Sequence, residues 1–339
     1  RESGKDRPRR ERESTMSHMG KAFTAGAIAL GLAWPAAAAE KWDMPTPYGD
    51  NSFHTVNIME FAEDVKTATG GELEITVHSA GSLIKHPEIK NTVRRGLVPI
   101  GEVLISRLGN EDPVFEVDAV PFLATSYDQA AKLWAASRPV IEEKLDKEDL
   151  KLLFAVPWPP QGLYAKQEVT SIADLKGTKI RAYNTAGERF AELTGAVPTQ
   201  VEVPDIPTAF TTGRVDAMIT SPSTGANTKA WDYVTYFHDT QAWLPKNMVI
   251  VNKKAFDGLD EKTRDAVLAA AAKAEERGWA ASKAETDEKI AVMKENGMTI
   301  VTPSATLTEE LTAIGGTMAG EWAERAGAEG QGILTEYKK

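Results

Sequence analysis

The chain has 339 residues, 42% of them hydrophobic, with 49 acidic and 39 basic side chains and a formal net charge of −10. An acid excess of that size disfavours nucleic acid and anionic membranes as partners. There is no cysteine, which excludes disulfides, thiol catalysis and cysteine metal sites.

Residues 1–15 are charged and poor in apolar side chains. From Met19 the pattern changes: Lys21 precedes an apolar run over 22–34, then Pro35 and four alanines, Ala36 to Ala39. A positive residue, a short apolar core and an Ala-x-Ala exit make a secretory signal peptide, cleaved after Ala39. The run is too short for a bilayer, which takes about 20 apolar residues. Setting 1–39 aside as leader removes seven basic and four acidic residues, so the part from Glu40 to Lys339 carries a net charge near −13. That part is long enough for two domains, and any anionic ligand needs a local cationic pocket against the overall field.

From here short apolar strands alternate with amphipathic helices, the pattern of an α/β protein. A strand is expected over 42–44 and a helix over 55–68, where Val56, Met59, Phe61, Ala62 and Val65 recur near helical spacing. Strands follow over 73–77 and 100–105, with a helix over 87–95 opened by Pro87. A helix over 126–136 and a strand over 151–156 lead into Pro157-Trp158-Pro159-Pro160-Gln161-Gly162. This is the sharpest punctuation in the chain and reads as a crossing between domains. Beyond it come a turn at Lys176-Gly177, a strand over 179–181, a helix over 185–193, a helix over 205–212 and a strand over 216–219. The chain then returns near Pro245, with a strand over 248–252 able to rejoin the first sheet. After Asp260, a good N-cap, helical pattern runs over 261–295, as one long helix or as two broken around Gly278.

Catalytic signatures are absent: no Gly-x-Ser-x-Gly elbow, no Gly-x-Gly-x-x-Gly after a strand and no P-loop. His86-x-Glu88 could suggest a metal pair, but a solvated loop or helix start is the better reading. Arg181 is the side chain that stands out. It sits at the carboxyl end of a strand, where open α/β sheets keep their ligand crevice, and its planar fork matches a carboxylate bidentately. Asn184 could add a neutral donor. On these residues alone Arg181 is either a ligand clamp or an ordinary surface ion pair.

The run Leu175-Lys176-Gly177-Thr178-Lys179-Ile180-Arg181-Ala182-Tyr183-Asn184 resembles the anion-binding signature of the solute-binding proteins of tripartite ATP-independent periplasmic (TRAP) transporters. The resemblance extends to Phe61-Ala62-Glu63-Asp64-Val65 before Thr69-Gly70-Gly71, Ala80-Gly81-Ser82-Leu83, Pro121-Phe122-Leu123 and Gly213-Arg214-Val215-Asp216. It implies a two-lobed α/β fold with a ligand cleft and a long domain-spanning helix. Lobe I is expected over 40–158 plus 247–286, and lobe II over 159–246 plus 287–339. It also implies a monomer that captures a small organic acid and delivers it to membrane permease subunits, with no catalysis, cofactor or metal. Arg181 is the implied carboxylate clamp. Gln161 stands where many relatives carry a second arginine, which favours a monocarboxylate over a diacid. Trp158 and Gln161 fall in the crossing. Thr220 replaces an asparagine that contacts ligand in relatives, and Arg107 is either a pocket arginine or a surface ion pair. Trp243 is pocket wall or packing, and Tyr48 closes over ligand or is a plain loop aromatic. Two other classes fit the same residues less well: a binding protein of an ATP-driven importer or sensory receptor, and an exported α/β enzyme.

Overall fold

The computed structural model of the chain describes residues 39–339. The expected leader, except Ala39, lies outside the described residues. The first lobe opens with β1 (Glu40–Pro45), α1 (Phe53–Ala68) and β2 (Leu73–His78), β1 and β2 pairing in parallel. A 3-10 turn from His86 leads into α2 (Ile89–Arg94), followed by β3 (Ile100–Leu104), α3 (Tyr127–Asp146) and β4 (Leu150–Pro157). The chain then crosses to β5 (Gly162–Ala165), β6 (Lys179–Ala182), α4 (Thr185–Leu193), β7 (Val197–Gln200), α5 (Ile206–Thr211), β8 (Ala217–Thr220), α6 (Pro222–Asn227) and β9 (Tyr236–His238). It returns to β10 (Lys246–Asn252) and α7 (Lys253–Gly258), and closes with α8 (Glu261–Glu295), β11 (Thr299–Val301) and α9 (Ala305–Lys338).

Two sheets organise the lobes. In the first, β10 lies between β3 and β4 and is antiparallel to both. Its side chains alternate, Met248 and Ile250 entering one buried cluster and Val249 and Val251 another. That is the period-two pattern of a strand covered on both faces. The second sheet has the order β11-β9-β5-β8-β6-β7. Here β7 and β8 both run parallel to β6, so the three strands end on one edge. In β5, Leu163 and Ala165 face one cluster and Tyr164 the other.

The two segments that join the sheets are themselves paired. The Trp158 N–H donates to the Pro245 carbonyl at 2.8 Å, and Gln161 N–H to Trp243 O and Ala242 N–H to Gln161 O, both at 2.9 Å. The Pro-rich crossing and the return near Pro245 thus form one two-stranded connection.

α8 is unbroken. Asp260 caps it by accepting the Thr263 N–H at 3.0 Å. Val267, Ala270, Ala271 and Ala274 pack in the first lobe, whereas Met293 packs in the second. Gly278 does not break the helix. A Cβ there would lie 2.4 Å from a Val156 methyl and 2.7 Å from Asn57 Nδ2, so the glycine allows close approach to β4 and α1.

Two boundaries differ from expectation. α3 continues past residue 136, through Pro139, to Asp146, because Ile141 and Leu145 on its second half are buried. Their packing outweighs the hydrogen bond that proline removes. α9 was not foreseen, and it does not belong wholly to the second lobe. Leu307, Leu311 and Ile314 pack there, but Trp322, Ala326 and Ile333 lie in a first-lobe cluster. No helix of the described residues is long and apolar enough to cross a membrane.

Candidate functional site

A cavity of about 380 Å³, in part continuous with solvent, opens where the two lobes meet. The paired crossing contributes Trp158, Gln161 and Pro245, and the first lobe contributes Tyr48, His86 and Leu104. The second lobe contributes Arg181 and Tyr183 from the end of β6, Glu202 and Val203 after β7, and Thr220, Ser221 and Thr224 where β8 runs into α6. The carboxyl ends of three parallel strands therefore aim at one space, as the crevice rule for open sheets requires.

Arg181 is 4% exposed. Its Nε donates to the Val201 carbonyl at 2.8 Å, and its guanidinium lies 4.9 Å from the Tyr183 ring centre. Among the described residues its terminal nitrogens take no hydrogen bond and no carboxylate pairs with it. They are not sealed in the core either, since Arg181 lines the cavity. Burial pulls its pKa below the ordinary arginine value, partly offset by Tyr183 and Glu202. A desolvated guanidinium with free donors has the chemistry to hold an anion.

The aromatic wall is fixed by its own bonds. Tyr183 Oη donates to Gln161 Oε1 at 3.1 Å and accepts from Trp243 Nε1 at 3.2 Å; Gln161 Nε2 donates to the Pro159 carbonyl at 2.9 Å. Burial pushes the Tyr183 hydroxyl up to about 12. Tyr48 and Trp158 meet edge to face, with ring centres 4.9 Å apart. Both donate to Asn247 Oδ1, at 3.1 and 3.0 Å.

Glu202 is the acidic member of the lining. It accepts from Arg107 at 2.8 Å and meets His86 Nδ1 at 3.3 Å. Burial alone would raise its pKa, but His86, Arg107 and Arg181 together draw it below the usual carboxylate value, so it is ionised. Burial holds His86 below the ordinary histidine value despite Glu202.

Of the residues expected at the site, Arg181, Gln161, Trp158, Thr220 and Tyr48 line the cavity. Three do not. Asn184 caps α4, accepting the Gly187 N–H at 2.7 Å, and donates to Ser106 Oγ at 2.8 Å. Its amide is consumed by the helix start and the lobe contact. Arg107 lies behind the wall, bonded to the Tyr183 carbonyl at 2.9 Å and to Glu202. Trp243 is 2% exposed in the second-lobe core, where it orients the Tyr183 hydroxyl. His86 and Glu202 line the cavity and were not foreseen there. The expectation that His86 is solvated is not met: it opens a helical turn but is buried, and the carboxylate it meets is 116 positions away.

The family model of bacterial extracellular solute-binding proteins, family 7, matches residues 47–324. The fold superposes on DctP7 of Bordetella pertussis, an extracytoplasmic solute receptor binding pyroglutamic acid, with a TM-score of 0.88 and 50% identity, covering 89% of this chain and 100% of that one. It is also similar to a marine metagenome TRAP solute binding protein specific for pyroglutamate, with a TM-score of 0.87 and 41% identity over 88% of this chain and 99% of that one. The C4-dicarboxylate-binding periplasmic protein DctP of Rhodobacter capsulatus is 25% identical over 80% of this chain and 82% of its own length. With its two lobes, its strand-end arginine and a model match over most of its length, the chain belongs to the family 7 bacterial extracellular solute-binding proteins, the solute receptors of TRAP transport.

Proposed function

We propose that this receptor captures a small cyclic monocarboxylic acid of the pyroglutamate kind and hands it to TRAP membrane permease subunits. The observation that carries the reading is Arg181, buried, lining the cavity and without a carboxylate partner among the described residues. The ligands of the relatives at 50% and 41% identity support the choice of acid. Arg181 holds the carboxylate, Gln161 and Thr220 offer hydrogen bonds, and Trp158, Tyr48 and Tyr183 enclose the ring. The protein performs no chemistry on its ligand and acts as a monomer. It is exported with cleavage after Ala39, and the lobes close over the ligand by bending at the paired crossing. N-terminal sequencing of the exported form checks the cleavage, which should leave Glu40 first.

A ligand that binds the native state alone raises the melting temperature as its concentration exceeds Kd. Pyroglutamate should do so, and succinate should do so only at concentrations at least about tenfold higher, a gap of roughly 1.4 kcal/mol. No shift with millimolar pyroglutamate, or equal potency of succinate, would end this reading.

A further inference from the structure

Two polar groups of the lining beside Arg181, Glu202 and Tyr48, have a polarity fixed by the bonds behind them. The backbone N–H of Leu104 donates to His86 Nε2 at 3.2 Å. A neutral imidazole whose Nε2 accepts must carry its proton on Nδ1, the atom that meets Glu202. Glu202, ionised, can only accept. The second chain of inference starts at Glu102, which is 1% exposed and ionised, its pKa drawn down by His54, Thr46 and Asn247 against burial. Asn247 Nδ2 donates to Glu102 Oε1 at 3.0 Å, which fixes the orientation of the amide and turns Oδ1 toward Tyr48 and Trp158. Because Asn247 Oδ1 can only accept, the single hydroxyl proton of Tyr48 is spent on it. What Tyr48 has left for the cavity is lone pairs.

We infer that Glu202 and Tyr48 form an acceptor-only wall that reads an N–H group of the ligand and rejects a second carboxylate, so the receptor selects carboxylic acids bearing a neutral amide or lactam N–H. This rests on the carboxylate role of Arg181 and deepens it. A second carboxylate would lie beside an ionised one in a partly dried cavity, where like charges oppose ionisation. A ring oxygen in place of N–H would set lone pair against lone pair. Sites built to bond an N–H or O–H discriminate strongly against the analogue lacking it, because their own buried groups are left unpaired. An ammonium would also reach Glu202, but that carboxylate is already matched by Arg107, and an extra buried cation must be stripped of water.

Calorimetry with four probes tests the idea: pyroglutamate, its γ-lactone counterpart with ring oxygen in place of N–H, glutarate, and proline. The wild-type protein should bind the lactam about 100-fold or more tighter than the lactone, a difference typical of a lost buried charged hydrogen bond. Glutarate and proline should both fall below pyroglutamate. Glu202→Gln can turn a donor toward the ring oxygen, so the lactam-to-lactone ratio should shrink to about tenfold or less. Because a ratio is read, uniform weakening of the site by the substitution cancels. A lactone within threefold of the lactam in the wild-type protein, or glutarate or proline binding tighter than pyroglutamate, overturns the acceptor wall while leaving the Arg181 clamp standing. Failure of pyroglutamate itself to bind overturns both.

Discussion

Arg181 is positioned before any ligand arrives: a backbone carbonyl holds its Nε and an aromatic ring supports its plane. Preorganisation of this kind lowers the ordering cost of binding. Arg181→Ala should leave a bound carboxylate without its partner, a loss of about 2–5 kcal/mol, or roughly 30- to 4,000-fold in affinity. Arg181→Lys should recover only part, since an ammonium lacks the planar fork. Calorimetric affinity for pyroglutamate within threefold of wild type in Arg181→Ala would remove the clamp. Asp118 shows the opposite use of burial. Its Oδ2 accepts the Lys246 backbone N–H at 2.8 Å and lies 3.8 Å from Lys246 Nζ, while Oδ1 has no partner. Burial outweighs the pull of Lys246 and pushes the carboxyl from 3.8 up to about 6. A pKa raised by folding contributes stability that is present below the unfolded value and lost as pH rises through the folded one. Glu102 and Glu202, with depressed pKa values, lean the other way, so the test is a difference. Subtracting the stability of Asp118→Asn from that of wild type should give a curve that falls by up to about 3 kcal/mol for a two-unit shift between about pH 4 and 6, then levels. Denaturant melts in half-unit pH steps would expose a flat curve, which contradicts the assignment. At this scale legibility in sequence depended on distance along the chain. Arg181 and Tyr183 sit in one local run, but Glu202 joins His86 and Arg107 only through the fold, and nothing near residue 202 announces it.

The elements were most legible where they are long. The strand-helix unit of β6 and α4 and the span of α8 follow from the turn at Lys176-Gly177, from helical pattern and from the cap Asp260, whereas Asn184, read as a ligand donor, is the cap of α4. β5, β7, β9 and β11 have three or four residues each, too few repeats for a period of two to register. α9 was hidden by its glycines, which lower helix propensity, and one of which, Gly327, leaves the helical conformation and kinks the span. Gly315 is there because a Cβ would come within 2.6 Å of the Pro121 carbonyl, a tertiary reason that a local reading cannot see. Gly278 carries the same lesson, and a prediction. Gly278→Ala gains about 1 kcal/mol of helix propensity, but its methyl must displace Val156 and Asn57, and overpacking of a tight core costs about 1–3 kcal/mol. Asn57 already donates to the Ala274 carbonyl at 2.9 Å and accepts from Arg277 at 2.7 Å, so it has little room to yield. The variant should therefore be less stable than wild type by up to about 2 kcal/mol, the balance of those two terms. Chemical denaturation measures it, and a more stable variant would mean that α8 can shift away from β4.

At the scale of the whole molecule polar contacts bridge the lobes around the cavity, among them Asn184 with Ser106 and Thr185 with Glu116. His86 and Arg107 of the first lobe hold Glu202 of the second. At the outer rim Asn51 and Asn227 bond reciprocally: Asn227 Nδ2 donates to the Asn51 carbonyl at 3.2 Å, and Asn51 Nδ2 to the Asn227 carbonyl at 3.5 Å. Both bonds are exposed, so each falls at the weak end of the usual net range of about 0.5–1.5 kcal/mol. On the closure proposed above, together they contribute about 1 kcal/mol to the closed arrangement, near fivefold in the equilibrium between open and closed forms. Neither residue lines the cavity that holds Arg181, so replacing both with alanine leaves the ligand's own contacts intact. A receptor whose ligand escapes only on opening should then release pyroglutamate about fivefold faster, with its association rate nearly unchanged, since affinity changes within one complex fall mainly on dissociation. Stopped-flow fluorescence from Trp158 at the cavity wall reads both rates. A second measurement separates closure from ordinary stability: the ligand-free double variant should melt where wild type does if these bonds form only on closing. A lower ligand-free melting temperature with unchanged release would mean that the rim bonds hold the lobes together at all times, and that ligand exchange does not depend on parting them.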